Sequence, residues 1–302
     1  MKTSLKLVSG ANDRYIITLL DFINSLNNIK FIMTNVVIYN YGLNENNINK
    51  LINLQNKFGF NIENFNFSKY PDYVNFNNYE YINCSYAFKP ITIYLESLKD
   101  EYNYIIWSDC ANRLTSNNIL QIMNTLNEEN FYSPITAYPN TIESLELHHP
   151  KCLQYFKLEK EVINIPQRNG AIIGLKNNAN GKDILNYWYN CCLNKDVICP
   201  NGSSRNNHRQ DQSVLSMIMY IYEKNNNKKF NSSNFGIKQW VKLDNTDKLL
   251  NNLTPFKLID KKTQRQLAVI YCKDINEAIE TYFERKKYYM NRADFLNNFH
   301  VS

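Results

Sequence analysis

Hydrophobic and polar residues at the start of the chain alternate between two periods. Leu5 to Val8 reads as a short strand, and Ser9-Gly10-Ala11-Asn12 as a tight polar turn after it. Asp13 is placed to cap a helix in which Ile16, Leu19, Leu20, Ile23 and Leu26 recur at helical spacing. Val36-Val37-Ile38-Tyr39 is a second strand-like run. Gly42 and the cap residue Asn44 then open a second amphipathic helix through Ile48, Leu51, Ile52 and Leu54. Strand, turn and helix, twice over, predict an α/β fold.

Farther along, Gly59 to Asn83 is irregular, with one short strand expected near Ile62 to Phe67. Lys89-Pro90 begins a helix, because proline in a first turn sacrifices no hydrogen bond. The helix leads into Tyr104-Ile105-Ile106-Trp107, an apolar run suited to the interior of a sheet, and Asp109 falls just past its carboxyl end. Helices follow at Asn117 to Leu126, Gly181 to Cys192 and Asp211 to Tyr222, with a glycine-bracketed strand from Gly170 to Leu175 between the first two. After Lys224 come an Asn/Lys-rich loop, a strand or two, and a charged helix from Ile275 to about Tyr289. The strands near Leu7, Val37 and Ile105 are expected side by side in a mostly parallel, twisted central sheet flanked by helices. No linker or repeat divides the 302 residues, so they read as a single domain.

Composition narrows the function classes. The net charge of +6 arises from 34 basic and 28 acidic residues spread along the chain, with no basic patch of the kind nucleic acids select. About one residue in six is asparagine, a bias that AT-rich codons produce and weak evidence for binding. Seven cysteines without a CxxC pair argue against a disulfide scaffold or a structural zinc site. Free thiols, no signal-peptide core and no long apolar run suggest a soluble cytoplasmic protein without a membrane span. The triplets at Asn83, Asn201 and Asn231 match a glycosylation signal at a frequency that chance explains in so Asn-rich a chain.

Five segments in order carry a resemblance: Leu7 to Ala11, Asn40-Tyr41-Gly42-Leu43, Tyr86-Ala87-Phe88-Lys89-Pro90, Trp107-Ser108-Asp109 and His208 to Ser213. Together they resemble nucleotide-sugar glycosyltransferases of the GT-A fold, and most nearly the glycosyltransferase-like families found in animals, bacteria and large DNA viruses. The likeness spans residues 5 to 222. It implies one GT-A-like (Rossmann-like) domain, with a nucleotide-binding half at 1–115, a sugar and acceptor half at 116–222, and a C-terminal extension packed on it at 223–302. It further implies a donor, commonly a UDP-sugar, and a hydroxyl acceptor on a glycan or glycoprotein; a viral source would place the protein in host cytoplasm. Ser9, Gly10, Ala11 and Arg14 would sit near base or ribose, Lys89 and Asp109 would contact the donor, and Asp211, His208 and Arg209 would serve the chemistry. Asp109 would hold a divalent cation, Mn²⁺ or Mg²⁺, with His208 as a second ligand. The chain departs from the family in reading Asp109-Cys110-Ala111 where D-x-D is usual, which places metal dependence in question and motivates an alternative, a catalytically inactive protein that binds a nucleotide sugar or glycan. A second alternative is an NAD- or nucleotide-binding α/β protein unrelated to sugar transfer, against which the lack of G-x-G-x-x-G after the first strand counts.

Plainer readings stand beside these. Asp109 also suits a strand-ending turn, and Asp211 an N-cap. Lys89 reads as a solvent-facing lysine, although its place at a helix start opposes the dipole. Trp107 reads as core, His148 and His149 as surface loop, and Gly170 and Gly174 as turns. Cys110 has no His and Asn partners that would make it a nucleophile.

Overall fold

Each expected strand and helix of the first half forms, with its ends shifted by a few residues. The structure, a computed structural model, describes residues 4–77, 86–99, 101–204, 206–239 and, toward the end of the chain, 254–262, 266–272, 274–276, 279–280 and 292–302. Strand β1 (Leu5–Ala11) passes through a 3-10 turn into α1 (Ile16–Asn28), and β2 (Val36–Asn40), α2 (Glu45–Phe58) and β3 (Asn61–Asn64) repeat the unit. Then come α3 (Phe88–Ser97), β4 (Tyr104–Ser108), α4 (Ser116–Glu129), β5 (Phe131–Tyr132), β6 (Ile135–Ala137), α5 (Ile142–Glu146) and α6 (Pro150–Phe156). The chain continues through β7 (Gln167–Arg168), β8 (Ile172–Lys176), α7 (Ala179–Cys192), α8 (Lys195–Ile198) and α9 (Asp211–Asn226). Past residue 253 the described strands β9 (Thr254–Asp260), β10 (Gln266–Cys272) and β11 (Phe299–Val301) form a small antiparallel sheet of their own. The helix expected from Ile275 to Tyr289 lies largely outside the described residues, as does the triplet at Asn83.

The central sheet runs in the order β3-β2-β1-β4-β8-β5. Its first four strands are mutually parallel, and β8 lies antiparallel to both neighbours. The expected mixed α/β architecture, with β1, β2 and β4 adjacent, is therefore what the chain forms. Alternate residues of the strands feed two cores. Val8, Val37, Ile105, Trp107 and Ile173 face Ile91 of α3, Trp188 of α7 and Met217 of α9. Leu7, Val36, Ile38, Ile106 and Ile172 face Leu19 and Phe22 of α1, Leu51 of α2 and Ile122 of α4. Burial on both sides is why these strands read as unbroken apolar runs, and each such side chain contributes roughly 1.5–3 kcal/mol.

Three local expectations are corrected. Ser9, Gly10 and Ala11 continue β1 in register with Ile38, Tyr39 and Asn40, so the turn begins only at Asn12. Asp13 does not cap α1: its Oδ1 accepts from the Asn44 backbone N–H at 2.8 Å and the Asn47 side chain at 3.0 Å, tying the start of α1 to the start of α2. Asp211 is the first residue of α9 and not its cap, which is Gln210. The cap expected at Asn44 is present, its side chain accepting from Asn47 N–H at 2.9 Å.

Gly10 is required by packing. A Cβ there would lie 2.4 Å from the Tyr41 ring and 2.5 Å from the Tyr39 carbonyl oxygen. Gly10→Ala is expected to cost about 1–3 kcal/mol, read as a lower urea midpoint; an unchanged midpoint would show that the Tyr41 ring yields freely.

Candidate active site

The strand order reverses direction between β1 and β4, since the chain builds outward through β2 and β3 and then returns to the other side of β1. Open α/β sheets form a crevice outside the carboxyl ends of the strands at such a point. Asp109 stands there, immediately after β4, with its backbone N–H bonded to the Ala171 carbonyl at 2.8 Å. Because β8 is antiparallel, its start brings residues 169–171 to the same edge. The helix start at Asp211 and the first turn of α3 complete the cluster.

At its centre is the Lys89 ammonium, which is buried. It lies 3.0 Å from Asp109 Oδ1 and donates to Asp109 Oδ2 and to the Gly170 carbonyl, both at 3.1 Å. Asp211 Oδ2 is 3.8 Å away. Burial alone would depress the Lys89 pKa, but the charges of Asp109 and Asp211 more than offset it and hold the pKa above the ordinary lysine value. Lys89 is therefore charged, and not the solvent-facing lysine of the plainer reading. Asp109 Oδ1 also accepts the Trp107 indole N–H at 2.8 Å, so that buried tryptophan aims the carboxylate as well as filling core. Asp109 is the cluster's partly exposed member, its side chain 28% accessible.

Asp211 is 3% exposed, and its Oδ2 has no hydrogen-bond partner. Burial pushes its pKa up to about 6, with Lys89 pulling it down and Asp109 pushing it up. Its main-chain carbonyl accepts the Trp188 indole N–H at 3.1 Å. Gly170 lies against it, such that a Cβ would sit 2.6 Å from Oδ2. Just before it, Gln210 is buried and adopts φ 47°, ψ −115°, a backbone conformation costly for a side-chain-bearing residue. Neither the Gly170 contact nor the Gln210 strain carried a signal in the sequence, because both arise from neighbours distant along the chain.

The remaining expected residues are placed differently. Arg209 is half-buried, with its backbone N–H bonded to Ser213 Oγ. Ser9 is fully buried, with no hydrogen bond to its hydroxyl. Arg14 is exposed, its guanidinium 5.5 Å from the Tyr15 ring centre. His208 is buried, its Nε2 is 3.2 Å from the Val197 carbonyl, and its ring meets that of His149. Burial, then His148 and His149, lowers its pKa to about 3. Cys110 is buried with its thiol pushed up to about 12, first by burial and then by Asp109, and stays protonated.

A divalent cation does not suit this donor set. Mg²⁺ demands near-octahedral oxygen coordination and Ca²⁺ six or more oxygens. Here both Asp109 oxygens already receive N–H donors, and His208 bonds toward Val197. Among the described residues no three His, Cys, Asp or Glu side chains gather to hold a metal.

The histidines also set an acid limit. His148, expected on a surface loop, is buried beside Gln167, and burial lowers its pKa to about 4. Both His148 and His208 titrate in the fold below the ordinary value of 6.5, so below that pH the unfolded chain binds more protons and stability falls. His149, lowered by partial burial and Lys151, acts in the same sense; Asp211, between about 6 and 3.8, and Glu129, raised by burial, act oppositely, two groups against three. The urea midpoint is expected to drop between pH 7 and pH 5, and to drop less in His148→Gln. Equal drops in both proteins would remove His148 from the cause.

A family model described as a protein of unknown function (DUF1647) matches residues 2–94, from β1 into α3. No curated protein sequence matches the chain significantly. Among solved structures, the galactosyltransferase LgtC in complex with donor and acceptor sugar analogues is similar at 16% identity and a TM-score of 0.42, over 70% of this chain and 70% of that one. The mannosyltransferase Ktr4p from S. cerevisiae is similar at 11% identity and a TM-score of 0.47, over 72% of this chain and 65% of that one. Core-mannan synthase A (CmsA/Ktr4) from Aspergillus fumigatus, in a Mn/GDP form, is similar at 10% identity and a TM-score of 0.42, over 72% of this chain and 70% of that one. Likeness at these values says nothing of donor, acceptor or metal. Among the described residues no helix is long and apolar enough to cross a membrane.

Proposed function

We propose that the protein is a glycosyltransferase of GT-A-like fold that moves a sugar from a nucleotide-sugar donor to a hydroxyl acceptor. The observation that carries this reading is the convergence of Lys89, Asp109 and Asp211 at the carboxyl edge where the strand order reverses. That is where α/β sheets bind nucleotides, and the ordered motifs of the sequence resemble this class of enzyme.

The roles follow from exposure and charge. Asp109, partly exposed and held by Trp107 and Lys89, accepts hydrogen bonds from donor hydroxyls. Ala11 and the turn after it border the nucleotide at the end of β1. Arg209, two residues before Asp211, faces the diphosphate as a charged donor. Asp211, with a pKa near 6, is ionised at neutral pH and serves as the base. The acceptor oxygen bonds to the anomeric carbon as that carbon's bond to the diphosphate oxygen breaks. The electron pair leaves on the diphosphate, and the acceptor proton passes to Asp211.

Incubation with a panel of UDP- and GDP-sugars and simple glycan acceptors tests the reading. Release of nucleoside diphosphate matched by glycosylated acceptor supports it; no release from any donor contradicts it. One observation favours a second reading, a protein that binds a nucleotide sugar without transferring it: Asp211 is sealed almost completely behind Gly170 and Lys89. Saturable donor binding without product under every acceptor would select that alternative.

A further inference from the structure

We propose that the Lys89 ammonium is this site's built-in cation, filling from within the chain the place between Asp109, Asp211 and the Gly170 carbonyl that a divalent ion would take. The inference concerns the same site as the proposed transfer but does not require it, because metal binding is read without donor or acceptor.

Four observations converge. The oxygens around Nζ come from three separate parts of the chain: the end of β4, the segment before β8, and the start of α9. Oxygens gathered from distant segments around one point are what a cation site looks like, and here the point is occupied by nitrogen. The lysine also sits in the first turn of α3, where its charge opposes the helix dipole, so helix stability does not account for it. It is buried, and an ammonium taken out of water is retained only where anions surround it. Finally, the Tyr86 ring lies 5.2 Å from Nζ and offers its face to the cation from a further side.

Charge accounts for the exclusion of metal. A divalent ion entering this cluster would have to share carboxylate oxygens with an ammonium already 3.0 Å from one of them, at close like-charge repulsion. The alternative is to expel Lys89 from a buried position where it makes three contacts. With both Asp109 oxygens already engaged and Asp211 almost wholly buried, the two carboxylates are too weak a cage to drive either change. The missing second acid of the D-x-D pattern then has a physical counterpart: Lys89 already faces the two carboxylates Asp109 and Asp211, and a further acid beside Asp109 would add unbalanced negative charge.

The test titrates metal-stripped, full-length protein with Mn²⁺ and follows the free-ion electron paramagnetic resonance signal, for the unmodified chain, Asp109→Asn, Lys89→Met and the double variant Lys89→Met/Asp109→Asn. The unmodified protein is expected to take up no Mn²⁺ at this site. Lys89→Met is expected to gain one site, with affinity raised at least about tenfold, and the double variant to lose it. Two results overturn the proposal: Mn²⁺ uptake by the unmodified chain that Asp109→Asn abolishes, or a folded Lys89→Met that gains no site. If circular dichroism shows Lys89→Met unfolded, the first pair decides alone, absence of uptake by the unmodified chain supporting the proposal and Asp109-dependent uptake overturning it.

Discussion

Asp211→Asn should lower the rate of sugar transfer by about 10²–10⁴-fold while changing donor affinity by no more than a few-fold. The amide keeps the shape of the carboxylate and removes its ability to take a proton. The contrast between rate and affinity matters, since a group that acts only as the acceptor loses its proton contributes to kcat and not to donor binding. The pH profile supplies a second readout. A base works when deprotonated, and Asp211 is raised to about 6 by burial, so the rate should climb as pH rises through 6 and level off above it. The residual activity of Asp211→Asn should lack that limb. Full activity in the variant would remove Asp211 from the chemistry and leave it a charge partner of Lys89.

The other large effect is on stability. Arg168 is almost wholly buried in β7; its Nη2 lies 2.6 Å from Glu223 Oε1, and its Nη1 donates to the carbonyls of Ser133 at 2.8 Å and Asn231 at 3.0 Å. One guanidinium thus ties the β5–β6 connection and α9 to the segment after α9. Arg168→Met removes the charge but keeps much of the volume, leaving Glu223 buried with the exposed Lys229 at 3.0 Å from Oε2 and the Phe230 backbone N–H donating to Oε1 at 3.0 Å. Losing one partner of a buried pair typically costs about 3–5 kcal/mol, chiefly from the charge left behind. Arg168→Met/Glu223→Met should recover a large part of that loss. A double variant as unstable as the single would locate the cost in the lost carbonyl contacts instead.

Much of the sheet was legible in the sequence because its inner strands are buried on both faces. Leu7-Val8, Val36 to Tyr39 and Tyr104 to Trp107 had no reason to alternate, and their apolar runs marked them. Asp109 was legible for the same reason, as the carboxylate where such a run stops. Lys89 gave a fainter signal, a charge at the wrong end of a helix. What the sequence hid was nonlocal. Ser9-Gly10-Ala11 looks like a turn because its residues are small; they are small because the Tyr41 ring and the Tyr39 carbonyl crowd Gly10 from the next strand. Asp13 has the type and place of a helix cap, yet its partners lie more than thirty residues away. The resemblance makes His208 a second ligand to a cation at Asp109, but the fold turns its ring toward Val197 and onto that of His149, far from it in sequence. Asparagine abundance, read as compositional drift, also serves local structure: Asn44 and Asn178 cap helices, while Asn112 bonds the Ala171 carbonyl at 2.7 Å beside the site.

The proposed transfer requires a nucleotide sugar to bind at the carboxyl edge of the sheet beside Asp109. Calorimetric titration of UDP- and GDP-sugars into the unmodified protein and into Asp109→Asn tests it most directly. Saturable binding of at least one donor to the unmodified chain is expected, weakened about tenfold or more in Asp109→Asn as the charge-assisted contacts to donor hydroxyls are lost. Absence of binding by every donor, or binding that Asp109→Asn leaves unchanged, would contradict it.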